Sequence, residues 1–160
     1  MEIRKAEAVD FPGIWAIFRA VVHKGDTYVF DPDCDEAYAR SVWMSDQMAT
    51  YVAVVDGRIA GTYILKANQP GLGDHVANAA FMVSPENRRG GVGRAMGEHA
   101  LEEARRAGFR AMQFNFVVST NTGAVKLWES LGFEIVGTLP EVFRHRELGF
   151  VDAYVLYRKL

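Results

Sequence analysis

Cysteine occurs once, at Cys34, so no disulfide can close within the chain, and a reducing compartment fits. No stretch approaches the roughly 18 apolar residues that a membrane-spanning helix needs. The opening Met1-Glu2-Ile3-Arg4-Lys5 lacks the apolar core of a secretory signal. A cytoplasmic protein with no membrane partner is therefore expected. Excess charge of one sign is missing too: 18 Lys and Arg face 20 Asp and Glu, a net charge of -2, which argues against a general nucleic-acid binder. Basic residues are local instead, around Arg88 to Arg94 and Arg144 to Arg146, which suits a small anionic ligand. No metal is expected. What is present is an ordinary globular composition, 49% apolar and 24% charged over 160 residues, enough for one domain, 1–160, with a real core.

The most informative stretch is Met82-Val83-Ser84-Pro85-Glu86-Asn87-Arg88-Arg89-Gly90-Gly91-Val92-Gly93-Arg94. It reads as an apolar strand, a turn opened by Pro85, and a basic, glycine-rich loop entering a helix. The first N–H groups of a helix have no partners within it, and the dipole adds partial positive charge there. Gly90, Gly91 and Gly93 let main chain close on a ligand without a side chain in the way. Arg88, Arg89 and Arg94 add fixed charge. A phosphate or pyrophosphate is the simplest ligand.

In chain order, Glu2 to Ala6 is a strand, and Asp10 is placed to cap a helix with Pro12 in its first turn. Phe11, Ile14, Trp15, Phe18, Val21 and Val22 give that helix one apolar face, and Gly25 closes it. Asp33 to Met48 is a second helical stretch, with Tyr38, Val42 and Trp43 facing inward. Tyr51–Val55 and Ile59–Leu65 are strands joined by Asp56-Gly57, a strong hairpin signal. His75–Val83 is the next strand, and a helix follows from about Gly91 to Ala107. Arg110–Val118 is a strand with Met112, Phe114, Phe116 and Val118 alternating to one side. Asn121 caps a helix whose apolar face is Ala124, Val125, Leu127, Trp128 and Leu131. Glu134–Leu139 and Val151–Tyr157 are strands on either side of a long charged loop, Pro140–Gly149. The fold class is α/β (α+β), with one central sheet.

Three phosphate loops compete for the glycine-rich stretch. A P-loop needs Gly-Lys-Ser/Thr, and no such Lys-Ser/Thr pair occurs. A dinucleotide fingerprint starts well at Gly91 and Gly93, but Met96 holds the third position, Gly97 comes one residue late, and the next strand ends without an acid. The third is an acyl-CoA loop. Arg88-Arg89-Gly90-Gly91-Val92-Gly93 matches Arg/Gln-x-x-Gly-x-Gly, and here the chain resembles the GCN5-related N-acetyltransferase (GNAT) family. Asn121-Thr122-Gly123-Ala124-Val125-Lys126-Leu127-Trp128-Glu129-Ser130-Leu131-Gly132-Phe133 resembles the family's second signature, Asn-x-x-Ala-x-x-Leu-Tyr-x-x-x-Gly-Phe. Residues from about 60 to 155 are further similar to fungal enzymes that acetylate azetidine-2-carboxylate and related imino acids. Gly61–Asn68, Asn78–Val83, Phe114–Asn121 and Leu148–Ala153 carry that likeness.

The resemblance implies a mixed, mostly antiparallel sheet of about seven strands flanked by about four helices. It implies acetyl-CoA as cosubstrate, lying between the strands that end at Val83 and near Val118. Its pyrophosphate would rest on main-chain N–H groups of Arg88, Arg89, Gly90, Gly91, Val92, Gly93 and Arg94. Its pantetheine would run along Met82 and Val83, with Asn121, Ala124 and Trp128 alongside. One N–H near Met82 and Val83 would polarise the thioester carbonyl. Asn121 is equally a helix cap, and the two roles are compatible. Trp128 departs from the family's common Tyr: an indole N–H is a donor, not an acid that can protonate a thiolate. Water, or the proton released by the amine, takes that part.

Asn78 and Asn115 are polar residues inside apolar strands and need partners. Each reads as a satisfied structural amide or, by the closer resemblance, as a ligand for the acceptor's carboxylate or amine. His75, Asp74 and Glu141 are candidate bases, His75 because histidine titrates near neutrality. His145 reads as a solvated loop residue or a contact to an acidic substrate or a dimer mate. The expected activity is N-acetylation of a small amino or imino acid by direct attack on the thioester. The alternatives are a peptide, protein or phosphinothricin-type N-acetyltransferase, or a non-catalytic CoA-binding domain. Family members often form homodimers.

Overall fold

The computed structural model describes residues 1–88 and 90–160. Its order is β1 (Glu2–Lys5), α1 (Phe11–Val22), α2 (Glu36–Trp43), β2 (Ala49–Val55), β3 (Arg58–Ala67), β4 (Val76–Val83), α3 (Val92–Arg106), β5 (Ala111–Val118), α4 (Thr122–Ser130), β6 (Glu134–His145) and β7 (Gly149–Lys159). The seven strands form one sheet in the order β1-β2-β3-β4-β5-β7-β6. Every neighbouring pair is antiparallel except β4 and β5.

Side chains alternate across this sheet, so each face needs its own cover. Helices α1 and α2 bury Phe11, Ile14, Phe18 and Trp43 against Val52, Ile64 and Met82 on one face. Helices α3 and α4 bury Met96, Ala100, Trp128 and Leu131 against Tyr63, Ala79, Phe114 and Leu156 on the other. Asp56 and Gly57 both take positive φ, 49° and 74°, as a two-residue hairpin turn between β2 and β3 requires.

Four local expectations change. Asp10 precedes α1 but makes no side-chain cap to it. Its carboxylate accepts instead from the Glu7 N–H at 2.7 Å and pairs with Arg4, so it anchors the turn before the helix. Tyr38 is exposed, because α2 turns Ala39 and Trp43 inward. The alternation of β5 breaks after Phe114: Phe114 pairs with Leu156 but Val117 pairs with Tyr154, so the bulge adds one residue and Val117 joins the core. The stretch from Pro140 is not a loop, because β6 continues to His145 across an irregularity between Leu139 and Phe143.

The two halves of the sheet meet at β4 and β5, and they meet only briefly. The parallel ladder pairs Val76 with Ala111 and Ala77 with Met112, and then the strands part. The next carbonyl along β5, that of Gln113, receives Nδ2 of Asn78 at 2.9 Å instead of a ladder bond. Beyond that point the sheet is open.

Candidate active site

The opening between β4 and β5 is a cleft of about 950 Å³. Main-chain register fixes what it offers. The Asn68 N–H donates to the Val76 carbonyl at one end of the β3–β4 ladder, and the Ser84 N–H donates to the Ala60 carbonyl at the other. Antiparallel pairs alternate, so even-numbered residues of β4 spend their main-chain groups on β3 and odd-numbered ones turn theirs to the cleft. Met82 therefore faces β3 with its main chain, while Phe81 and Val83 face the opening.

Phe81 is already satisfied. The Tyr28 hydroxyl donates to its carbonyl at 2.7 Å and accepts from its N–H at 3.0 Å. Tyr28 thus supplies the rung that a neighbouring strand would have made. Burial pushes its phenol well above the usual range, against the opposing hydrogen bond to Phe81. Among the described residues Val83 has no such substitute, and it lines the cleft.

Below Val83 the chain enters α3 through Gly91, whose φ of 74° is left-handed and suits glycine. Its N-cap, Gly91, has no side chain to cap α3, so among the described residues the first N–H groups are left for a ligand. Arg88 and Gly93 line the cleft beside them. Arg94 turns away, donating to Ser130 Oγ at 2.7 Å. Val92 is buried in the core. Gly90 is exposed, and its N–H donates to the Asn87 carbonyl. Arg89 lies outside the described residues.

The opposite wall is α4. Asn121 lines the cleft and caps the helix, accepting from the Ala124 N–H at 3.4 Å. Ala124 and Trp128 line it as well. Trp128 is also core: its ring stands 4.7 Å from Phe81 and 4.8 Å from Phe114. These surroundings fit the CoA arm: unspent strand groups on one side, small or apolar side chains on the other, and an uncapped helix start at the outer end.

On the α1–α2 side of the sheet the cleft widens among amides. The bulge in β5 turns Asn115 and Phe116 into it. Asn115 accepts from Gln113 Nε2 at 2.9 Å and donates to Asn68 Oδ1 at 2.7 Å. Asn78 stands across from it with Oδ1 uncommitted among the described residues. Lys66 lines the same region. Both asparagines are thus structural and exposed to a ligand at once. His75 stands outside the cleft: its side chain is exposed, and its carbonyl accepts from the Arg110 N–H. His145, expected in a loop, ends β6 and lines the cleft half-buried.

A roof closes this widened part. The segment between α1 and α2 crosses over it, and the Arg146 N–H donates to the Gly25 carbonyl at 3.0 Å while Arg146 Nη1 donates to the His23 carbonyl at 2.8 Å. Tyr28 and Asp26, neither of them marked by the sequence reading, belong to this roof. Their only sequence signal is a position just after the helix stop at Gly25.

The family model described as Acetyltransferase (GNAT) family matches residues 14–133. The solved structure of a GCN5-related N-acetyltransferase from Kribbella flavida is 48% identical, with a TM-score of 0.95 over 99% of this chain and 97% of that one. A ribosomal-protein-alanine N-acetyltransferase from Brucella melitensis is 25% identical, with a TM-score of 0.88 over the whole of both chains. The N-acetyltransferase aca1 of Schizosaccharomyces pombe is 38% identical over 98 residues, 61% of this chain and 47% of that protein, so the match spans about half of that relative's length. The chain belongs to the GNAT family of N-acetyltransferases, with acetyl-CoA as the acyl donor.

Proposed function

We propose that this protein transfers the acetyl group of acetyl-CoA to the nitrogen of a small amino or imino acid. The observation that carries this reading is the amide cluster of Asn68, Asn78, Gln113 and Asn115, set in a roofed recess where β4 and β5 part. The second N–H of Asn78 or Asn115 is a neutral donor for a carboxylate, and Lys66 adds charge. The latch between Gly25 and Arg146 favours a compact acceptor over an extended peptide.

The donor supplies a thioester carbonyl activated for attack. The acceptor's nitrogen lone pair forms the C–N bond as the C–S bond breaks, and the proton that the amine loses balances the one that the thiol gains. Val83 N–H and the start of α3 bind and orient. In this reading Trp128 only packs and shields. Tyr28 is no general acid, since its proton is committed to the Phe81 carbonyl. Water, or the acceptor's own proton, reprotonates the sulfur.

The direct test is CoA release against azetidine-2-carboxylate, proline analogues, phosphinothricin, simple amino acids and short peptides. Turnover on free imino or amino acids is expected. Turnover on peptides alone would favour the activity named for the Brucella relative. Tight acetyl-CoA binding with no turnover on any amine would favour a non-catalytic CoA-binding domain, a reading that Trp128 keeps open. Asn78→Ala and Asn115→Ala are expected to raise KM for the amine on the order of tenfold each, the worth of about one hydrogen bond, and to leave KM for acetyl-CoA unchanged.

The same proposal includes a homodimer in the cytoplasm. Val136, Leu148 and Phe150, at 57%, 61% and 66% exposure, leave apolar surface on the β6–β7 edge. Light scattering on the purified protein reads its mass directly, and a monomer at micromolar concentration would remove that part.

A further inference from the structure

The recess has two unlike parts, and strand register sets them side by side. Lys66 pairs with Asn78 across β3 and β4, and Ile64 pairs with Ala80. Side chains two residues apart on a strand share a face, about 7 Å from each other. All four residues line the cleft. One step along the two strands therefore leads from a cation and an amide to an apolar pair. A molecule the size of an amino acid spans both.

The α1–α2 side continues the apolar part. Phe30, Val42 and Met48 are half-buried, pack on the core that holds Ile64, and line the cleft with the surface left over. Packing keeps this wall in place without a ligand. The Phe30 ring stands 5.2 Å from Phe18 and 5.8 Å from Tyr28, nearly parallel to it. Tyr28 in turn is held by the Phe81 main chain.

The polar residues of this wall turn their donors away from the cleft. The Tyr28 hydroxyl donates to the Phe81 carbonyl, Ser41 Oγ to the Tyr38 carbonyl at 2.7 Å, and Trp43 Nε1 to Thr62 Oγ1 at 3.0 Å. No side-chain donor of the lining residues from Tyr28 to Trp43 is left for a ligand. Hydrogen-bonding capacity remains at the two ends of that stretch, on Asp26 and Thr27 before Tyr28 and on Ser45 and Gln47 after Trp43. Between those ends a polar ligand group loses water and gains no donor, which opposes its binding. Hydrocarbon in the same place is favoured, because it leaves water.

We infer that the wall of Phe30, Val42, Met48, Ile64 and Ala80 takes the acceptor's side chain and selects acceptors whose side chain is apolar. The inference rests on the reading of this cleft as the site of a small amino or imino acid, and it names which of them the enzyme prefers. The polar head lies by Lys66 and Asn78, and the hydrocarbon part lies on the apolar wall one step along the strands.

The test is kcat/KM along alanine, 2-aminobutyrate and norvaline, each longer than the last by one methylene. Burying a methylene is worth about fourfold, and each step is expected to raise kcat/KM by about that factor. Serine, with a hydroxyl where 2-aminobutyrate has a methyl, is expected to fall on the order of ten- to a hundredfold below it. If only imino acids turn over, azetidine-2-carboxylate, proline and pipecolate give the methylene series and 4-hydroxyproline the polar member. Val42→Thr keeps the shape of the wall and adds a hydroxyl to it. For the longest substrate of the series kcat/KM should drop on the order of tenfold, the cost of covering an unpaired hydroxyl. The shortest should lose much less, and KM for acetyl-CoA should not move. A flat series, serine equal to 2-aminobutyrate, or equal losses for long and short substrates overturns the inference alone. Should Val42→Thr unfold the protein, the wild-type series decides by itself. Wild-type protein that melts higher with acetyl-CoA but neither turns over nor responds to any free amino or imino acid overturns the underlying reading and the inference with it.

Discussion

Asp10 shows how one side chain at the foot of α1 ties electrostatics to stability. The Arg4 guanidinium, at 2.7 Å, holds its carboxyl below the usual carboxylate range, helped by the Glu7 N–H and opposed by burial. The depressed value means that folding favours the charged form. The stabilisation is whole above the unfolded value, near 3.8, and fades as pH falls through the lower folded value. Asp10→Ala strands the Glu7 N–H and should cost about 1–3 kcal/mol at neutral pH. Thermal melts of variant and wild type between pH 3 and 7 should converge at the acid end. Tyr28 is the second such residue. Removing its hydroxyl by Tyr28→Phe leaves both Phe81 main-chain groups without a partner, at about 1–3 kcal/mol each before water enters. Melting temperature should fall, while KM for acetyl-CoA, whose arm we propose to run along Val83, changes less than KM for the amine. Neither role is written in local sequence: Asp10 reads as an N-cap, and nothing local marks Tyr28, whose hydroxyl partner lies 53 positions away.

Among the elements, α3 meets α4 through a glycine. A Cβ on Gly97 would lie 2.7 Å from Leu131 and 2.9 Å from the Trp128 ring. Alanine inside a helix normally gains about 1 kcal/mol over glycine. Overpacking a core against a rigid ring costs about 1–3 kcal/mol. The clash should win, so Gly97→Ala is expected to lower the melting temperature, and it should also raise KM for acetyl-CoA by displacing Trp128 from the cleft wall. The helix starts at Pro12 and Asn121 and the Asp56-Gly57 turn were legible because each rests on a local backbone requirement. The β5 bulge and the length of β6 were not. They depend on partners in β7, and the charged residues of β6 sit on its exposed side, where they read as loop. The glycine turn into α3 was legible for the first reason. Of the recess assembled from the roof, the bulge and His145, only Asn78 and Asn115 were singled out in the sequence for a part in the site.

At the scale of the whole molecule, the two halves of the sheet join at a short parallel seam over one shared core. A ligand that fills the opening binds both halves and nothing in the unfolded chain. At a hundredfold excess over Kd, acetyl-CoA should add about 2.7 kcal/mol. For a domain of this size that is a rise of about 5–10 °C in melting temperature, readable by calorimetry. A shift under a degree at saturating acetyl-CoA would contradict the cleft's assignment.

The latch between His23, Gly25 and Arg146 has a consequence for how the molecule comes into being. Its two sides lie 123 residues apart in the chain. Strands β2 to β4 can zip as successive hairpins while the chain is still being made. The roof over the recess cannot settle until β6 and its turn have emerged. Contacts this distant are closed late, because loop-closure entropy is met before they reward it. The roofed recess, which we propose holds the amine, thus closes after the strands that carry it, and under stress it should be the first to be lost.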